Sequence, residues 1–274
     1  MSKLGVIAGG GALPRQVISA CRETGRDFFV LAFEGSADPE ILGDAPVQWI
    51  RMSGLSKAFE SARREGVEEL VLVGKIPRPS VLELMRDARS AKFLAKVGTR
   101  MLGDDNILSA VVREIEETEG FRVIGPEELL DDILATEGCY GAVAPDENEM
   151  ADIKRGMDAL RLMGPLDIGQ GVVVQNGMIL GVEAAEGTDL LIERCAEFVD
   201  ADTVGGVFVK AAKPSQERRI DLPAVGTSTM ELAIKSGLRG IAIEAGGALV
   251  VDRKAMTNAA DAAGVFLVGV ASES

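Results

Sequence analysis

The sequence contains no histidine among its 274 residues. This absence excludes imidazole general bases, Ser-His-Asp and Cys-His nucleophile systems, and every metal site that depends on histidine. The three cysteines, Cys21, Cys139 and Cys195, are far apart and form no CxxC pair. An odd number of separated cysteines argues against a disulfide framework or a zinc site and fits a reducing cytoplasm. Catalysis by this chain must therefore use carboxylates, Lys, Arg and metal.

Aromatic residues, basic residues and long apolar runs are also scarce. Aromatics make up 4% of the chain, too few for a base-stacking platform. The 29 basic residues face 43 acidic ones, giving a net charge of −14, so we expect no nucleic-acid partner. No stretch reaches the ~18 apolar residues of a membrane span, and glycines interrupt the N-terminal apolar run where a signal peptide would continue. These features predict a soluble, cytoplasmic protein.

The composition is otherwise that of a globular protein, with 47% hydrophobic and 26% charged residues. At ~150 residues per domain, the length corresponds to about two domains. The first half alternates strand-like runs with helical ones, which predicts a parallel sheet covered by helices. The predicted strands are 4–8, 28–33 and 70–73, and the predicted helices are 12–24, 56–65, 81–96 and 104–119. Residues 121–124 and the acidic segment 127–132 close this half.

The second half has a different pattern. Asn176-Gly177 separates two apolar runs, and this dipeptide favours the type I′ turn of a β-hairpin. Further predicted elements are helices at 188–198, 228–235 and 253–263, strands at 207–211, 241–244, 248–251 and 266–270, and an extended segment at 218–222. We therefore predict an α/β fold with an N-terminal Rossmann-like domain at 1–132 and a C-terminal mixed-sheet domain at 133–274.

A glycine-rich turn follows the first predicted strand. Gly9-Gly10-Gly11 opens a helix, where backbone N–H groups can hold phosphate, and Glu34 ends the next strand, where a dinucleotide-binding fold places an acid on the ribose. The third glycine of that motif is replaced by Pro14. A nicotinamide cofactor, a phosphate or substrate contact, and a purely structural turn all stay open. Gly74-Lys75 ends another strand at the same edge, although a lysine there is most often simply solvated.

Polar residues surround the predicted hairpin. Asp167-Ile168-Gly169-Gln170-Gly171 precedes it, and these residues suit a ligand contact and an ordinary turn equally well. Glu183 closes the hairpin, and Thr188 with Asp189 begins the next helix. Thr188 is a natural N-cap, so helix capping competes with phosphate binding at that position.

The densest chemistry lies between Lys213 and Pro223, in the sequence KPSQERRIDLP. If residues 218–222 are extended, Arg219 and Asp221 share one face. Such a pair is either a structural ion pair or what phosphoryl transfer needs: a cation for phosphate oxygens and a carboxylate that binds metal or orients water. Thr227 then opens a helix with further hydroxyl groups.

Six blocks of this sequence, in this order, resemble the UDP-2,3-diacylglucosamine pyrophosphatases of the LpxI type. They are LGVIAGGGALP near the start, GDD at 103–105, ADIKRGMDALRLMGPLDIGQGVVV from Ala151, EAAEGTD from Glu183, KPSQERRIDLPAVG from Lys213 and GIAIEAGGALVVDR from Gly240. The resemblance implies hydrolysis of UDP-2,3-diacylglucosamine to UMP and 2,3-diacylglucosamine 1-phosphate, with Mg²⁺ or Mn²⁺. It also implies two α/β domains. A peripheral contact with the inner membrane is inferred from the substrate, and both a monomer and a homodimer stay open.

The resemblance also suggests roles for individual residues. Asp221 would be the essential carboxylate, with Arg219 and Lys213 on phosphate oxygens and Gln216 hydrogen-bonding nearby. Asp104 and Asp105 are candidate metal ligands beside Asp221, with helix capping as an equal alternative. The remaining candidate substrate contacts are Gly10, Gly11, Leu13, Gly74, Lys75, Asp167, Gln170, Gly171, Glu183, Thr188, Asp189 and Thr227. A non-catalytic UDP-sugar or lipid-phosphate binding protein, and an NAD(P)-dependent oxidoreductase, are the alternative functions.

Overall fold

The computed structural model describes residues 1–51, 54–76, 104–200, 205–214 and 216–271. The chain divides into two compact units. The first consists of Met1–Asp131 and Glu217–Asp221, and the second of Asp132–Gln216 and Leu222–Ser274. The segment Glu217–Asp221 therefore groups with the first unit, although in sequence it lies inside the predicted second domain. The predicted helix at 81–96 falls outside the described residues.

The first unit contains a parallel sheet. Its strands are β1 (Lys3–Ala8), β2 (Phe28–Phe33), β3 (Val47–Ile50), β4 (Val67–Val73) and β5 (Arg122–Ile124), and its helices are α1 (Leu13–Thr24), α2 (Pro39–Leu42), α3 (Leu55–Arg64) and α4 (Asp104–Glu114). A π-helix, Ile115–Glu119, continues α4, and a 3-10 turn, Pro126–Glu128, follows β5. All neighbouring strands are parallel in the order β3-β2-β1-β4-β5. This confirms the predicted Rossmann-like sheet, whose strand order reverses at β1.

The central strands of this sheet are buried along most of their length. Leu4, Val6, Val30 and Leu31 have no exposed surface, as expected for parallel strands covered on both faces. Because such strands are nearly continuous apolar runs, the sequence pattern locates β1, β2 and β4. The short β3, with the sequence VQWI, carries no comparable run and was not predicted.

The second unit contains a mixed sheet. Its strands are β6 (Gly138–Cys139), β7 (Gly171–Gln175), β8 (Met178–Val182), β9 (Val207–Lys210), β10 (Ala224–Val225), β11 (Gly240–Glu244), β12 (Leu249–Val250) and β13 (Phe266–Val270), and its helices are α5 (Glu147–Met163), α6 (Thr188–Cys195), α7 (Thr227–Lys235) and α8 (Arg253–Ala263). The main sheet has the order β6-β13-β11-β9-β7-β8, and β10 pairs with β12 in a separate two-stranded sheet. The pairs β9-β11 and β11-β13 are parallel, whereas β7 is antiparallel to both neighbours. The predicted mixed sheet is confirmed.

The predicted hairpin is present. Asn176 and Gly177 have φ values of 52° and 74°, the left-handed pair that a type I′ turn requires. Within the described part of the chain, no helix is long and apolar enough to span a lipid bilayer.

One conformational prediction is wrong. Residues 218–222 were expected to be extended, but Arg218–Asp221 forms a single helical turn. The N–H groups of Ile220 and Asp221 donate to the Glu217 carbonyl at 3.2 and 3.0 Å, and Ile220 packs against the core of the first unit. The partial burial of Ile220 and the local hydrogen bonds outweigh the alternating pattern, so strand periodicity does not place Arg219 and Asp221 on one face.

Candidate functional site

In the second unit, the approach to β7 runs antiparallel to the end of β9. Gly171 pairs with Lys210 in the β7-β9 ladder, and the Ala211 N–H donates to the Gln170 carbonyl at 3.1 Å. The Glu183 N–H, just after β8, donates to the Gly171 carbonyl at 2.8 Å. The sheet register therefore gathers predicted site residues from three separate stretches of sequence at one edge.

Lys213 is a buried cation at this edge. It is 9% exposed, and its Nζ forms an ion pair with Oδ1 of Asp167. Asp167 has a φ of 53°, an uncommon left-handed conformation at the end of a 3-10 turn. The Lys213 N–H also donates to Oε1 of buried Gln216 at 3.1 Å. Three residues predicted as site members are thus joined directly.

A second buried lysine lies three residues earlier. Lys210, the last residue of β9, is 6% exposed and donates from Nζ to the Thr188 hydroxyl at 2.6 Å. That hydroxyl donates to Oε1 of Glu183 at 2.9 Å. The other oxygen of Glu183, Oε2, accepts a long hydrogen bond of 3.4 Å from the Gln170 N–H. Lys210 was not among the residues predicted from the sequence. Its signal is a lysine that ends the apolar strand VFVK, where a charge is buried only with partners.

Thr188 does not cap helix α6, which was one of the two interpretations of this residue. The N-cap of α6 is Gly187, with Thr188 at the first helical position and no side-chain capping bond. The Thr188 hydroxyl instead joins Lys210 to Glu183. Asp189, the next residue, is exposed, and Thr227 is the first residue of α7, whose N-cap is Gly226.

Glycine is required where two segments of this edge meet. A Cβ on Gly169 would lie 2.0 Å from the carbonyl oxygen of Glu183, and one on Gly171 would lie 2.8 Å from its Oε2. Because neither position tolerates a side chain without displacement of backbone or carboxylate, the glycines set how closely Glu183 approaches the start of β7.

The glycine turn of the first unit is tied to the end of β4. Gly9 donates to the Val73 carbonyl at 2.8 Å, and Gly10 and Lys75 exchange backbone hydrogen bonds of 2.9 and 2.8 Å. A Cβ on Gly74 would lie 2.5 Å from the Gly10 carbonyl, so these backbones approach closely. The N–H groups of Gly9 and Gly10 are therefore engaged within the protein, unlike those of a phosphate-binding turn.

The first unit also differs from a dinucleotide site at Glu34. Gly11 is exposed with a φ of 95°, and Leu13 begins α1 as a buried residue. The Glu34 carboxylate, expected on a ribose in the dinucleotide interpretation, pairs with Arg51 at 2.6 Å.

Arg219 lies between two carboxylates of the first unit. Its Nε and Nη2 donate to the two oxygens of Glu217 at 2.8 and 3.0 Å, and its Nη1 donates to Oε1 of Glu116 at 2.8 Å. The Arg219 hydrogen bond holds the pKa of Glu217 below its usual range, and the Glu217 bond raises the pKa of Arg219. A phosphate contact by Arg219 would have to compete with both carboxylates. Asp221 is half-buried at the end of the same turn.

The candidate metal ligands are only partly described. Asp104 is the first described residue of helix α4, and the side chains of Asp104 and Asp105 lie outside the described positions. Among the positions that are described, no three Asp, Glu or Cys side chains gather as a metal site. Mg²⁺ in phosphate chemistry is held by one or two carboxylates together with substrate phosphates, and Asp221 has the chemistry to supply one of them.

The fold and this geometry define a two-unit α/β protein whose second unit buries two lysines among carboxylate, hydroxyl and amide groups at one sheet edge. Models of the LpxI N-terminal and LpxI C-terminal domains match residues 3–133 and 136–268. The chain is 42% identical over 276 aligned positions to the UDP-2,3-diacylglucosamine pyrophosphatase LpxI of Caulobacter vibrioides, covering 98% of each chain. It therefore belongs to the LpxI family.

Two solved structures show only a slight likeness. Glycinamide-RNase-transformylase T of Mycobacterium tuberculosis is 15% identical with a TM-score of 0.22, over 67% of this chain and 44% of its own. Phosphoribosylglycinamide synthetase of Anaerococcus prevotii is 12% identical with the same TM-score of 0.22, over 73% of this chain and 44% of its own. These scores are too low to bear on the fold or the function.

Proposed function

We propose that this protein hydrolyses the pyrophosphate bond of UDP-2,3-diacylglucosamine to release UMP and 2,3-diacylglucosamine 1-phosphate. Membership of the LpxI family and the name of the Caulobacter relative support this activity. A peripheral contact with the membrane follows from a substrate that carries two acyl chains, and a homodimer is compatible with the proposal. The proposed reaction belongs to lipid A biosynthesis.

The observation that carries the proposal is the buried Lys213. A buried ammonium group needs an anionic partner, because a charge taken out of water is stable only when it is paired. Its partner Asp167 compensates that charge in the structure, and phosphate oxygens are the natural competitors for the same donor. Lys210, Gln170 and Glu183 supply further polar groups along the same edge.

Asp221 is our candidate for the carboxylate that the reaction needs. A chain without histidine has no imidazole to activate water, so a carboxylate must orient it or hold the metal. A bound divalent ion would supply charge stabilisation on the phosphate oxygens. Asp221, with Asp104 and Asp105 as further candidates, would hold that ion, while Lys213 binds phosphate oxygens.

The alternatives differ in what they require. An NAD(P)-dependent oxidoreductase needs turn N–H groups for the pyrophosphate, but those of Gly9 and Gly10 donate to Val73 and Lys75. A non-catalytic binder of UDP-sugars or lipid phosphates would use the same lysines and would bind the substrate without releasing UMP.

Phosphorus NMR of the protein with UDP-2,3-diacylglucosamine tests the proposal. We expect the wild type to produce UMP, and Asp221→Asn to stay folded while turnover falls by roughly 10²- to 10⁴-fold, because a positioned proton-handling or metal-binding carboxylate is lost. Asp131→Asn, an exposed carboxylate of the same unit, is the matched control. Saturable binding without UMP would instead establish a non-catalytic binder, and near-normal turnover by Asp221→Asn would remove Asp221 from the reaction.

Metal dependence is tested on the same reaction. We expect EDTA to abolish UMP release and added Mg²⁺ or Mn²⁺ to restore it, because the resemblance implies a divalent metal and carboxylates are its ligands. Dialysis followed by metal titration gives the measurement. Full turnover in excess chelator would contradict the proposed metal.

A further inference from the structure

Asp221 is carried by a very short element. The helical turn Arg218–Asp221 has four residues, too few to be stable without tertiary contacts. It lies against β4 and β5 of the first unit, and Ile220 is its apolar anchor in that core. The position of the Asp221 carboxylate therefore depends on the contacts that attach this turn to the sheet.

Glu116 links the turn to β5. Its Oε1 accepts from Nη1 of Arg219 at 2.8 Å and from the Val123 N–H, in β5, at 3.2 Å. Arg219 also donates two parallel hydrogen bonds to Glu217, the residue immediately before the turn. The chain β5–Glu116–Arg219–Glu217 thus runs without interruption from the sheet to the start of the turn.

The position of Glu116 in the fold is unusual as well. It lies in the π-helix Ile115–Glu119, an element that is rare and frequent at functional sites. The same element contains Glu119, which is buried and pairs with Arg63. Glu117, one of the two residues between them, is exposed. The π-helix therefore presents one carboxylate to the Asp221 turn, one to α3 and one to solvent.

We propose that Glu116 is a positioning residue for the hydrolysis: through Arg219 it fixes the turn that carries Asp221 to β5. This inference rests on the proposed function, because it assumes that Asp221 serves the reaction. In this role Glu116 touches no substrate. Its contribution is geometric, and a displacement of about 1 Å at a reacting group can cost about 10²-fold in rate.

Steady-state kinetics of Glu116→Gln test this role. We expect kcat to fall roughly 10- to 100-fold while KM changes less than about 3-fold, since alignment rather than ground-state binding is lost. Arg219→Lys should behave similarly, because an ammonium cannot reproduce the forked contacts of a guanidinium. If Glu116 acts through Arg219, the double variant should lose no more activity than the more impaired single variant.

Two neighbours on the π-helix provide matched controls. Glu117→Gln makes the same change at an exposed position and should leave kcat unchanged. Glu119→Gln breaks the pair with Arg63 and should lower the melting temperature with little effect on kcat. If Glu116→Gln does not fold, Glu217→Gln replaces it in the same double-variant comparison with Arg219→Lys. This substitution removes the other carboxylate that bonds to Arg219.

The outcomes separate the two proposals. Wild-type kcat in folded Glu116→Gln, or additive losses in the double variant, would overturn the positioning role while UMP release by the wild type upholds the function. A wild type that releases no UMP would overturn the proposed function and this inference with it.

Discussion

Glu69 shows how single residues stabilise the first unit. Its carboxylate, on β4, accepts from the Ser2 hydroxyl at 2.7 Å, from Arg122 at 2.6 Å and from Arg26. The Ser2 hydrogen bond, with those of the two guanidinium groups, holds the pKa of Glu69 below its usual range. The side chain is 14% exposed, so water screens these bonds only in part.

We expect Glu69→Gln to lower the free energy of unfolding by about 2 kcal/mol, because two guanidinium groups lose their charged acceptor. The contribution should depend on pH. Since the folded pKa is depressed, the stabilisation is complete above the unfolded value of about 4.3 and is lost as the pH falls through the folded pKa. Urea midpoints between pH 7 and pH 3 measure both effects. Equal midpoints for Glu69→Gln and the exposed control Glu68→Gln would contradict the prediction.

Individual elements were predictable where local chemistry determines them. The strand 266–270 and the helix 253–263 match the structure at both ends, because an apolar run and an N-capping Asp252 mark them. Helix α5 was missed although Asp146 and Glu149 form a capping box that the sequence displays. The turn Arg218–Asp221 carries no such local signal, since tertiary contacts rather than propensity stabilise four residues.

The hairpin β7-β8 depends on a partner that its own sequence does not reveal. Asp152, a buried residue of α5, accepts from the Asn176 N–H at 2.8 Å and from the Gly177 N–H at 2.6 Å. The dipeptide predicts the turn, whereas the carboxylate that satisfies its amides comes from a distant helix. The fit of α5 against β7 therefore includes a polar bond as well as apolar packing.

We expect Asp152→Ala to lower the free energy of unfolding by about 1–2 kcal/mol, because both turn amides lose a charged acceptor. Hydrogen exchange at Asn176 and Gly177 should accelerate along with the drop in the urea midpoint. Asp158→Ala on the same helix, which removes only exposed ion pairs with Lys154 and Arg161, should change stability by less than about 0.5 kcal/mol. An unchanged midpoint for Asp152→Ala would contradict the role of this bond.

For the whole molecule, the sequence indicates two α/β units but not how the chain is shared between them. Arg219 bonds to Glu116 across 103 positions of sequence, and no periodic pattern encodes such a pairing. The candidate site shows the same limit. Lys213 and Asp167 were both named from sequence, yet only the β7-β9 register shows that they meet, and Lys210 emerged only through its burial.

Because Glu217–Asp221 packs with the first unit, Arg219→Met should destabilise that unit although the substitution lies late in the sequence. Glu116 and Glu217 then lose their guanidinium partner, and we expect the free energy of unfolding to fall by about 1–2 kcal/mol. Native-state hydrogen exchange locates the effect: amides of β4 and β5 should lose protection, whereas those of β7 and β9 should keep theirs. Arg218→Met, at the exposed neighbouring position, should leave both sets of amides protected. Protection lost mainly in β7 and β9 would show instead that the turn stabilises the second unit.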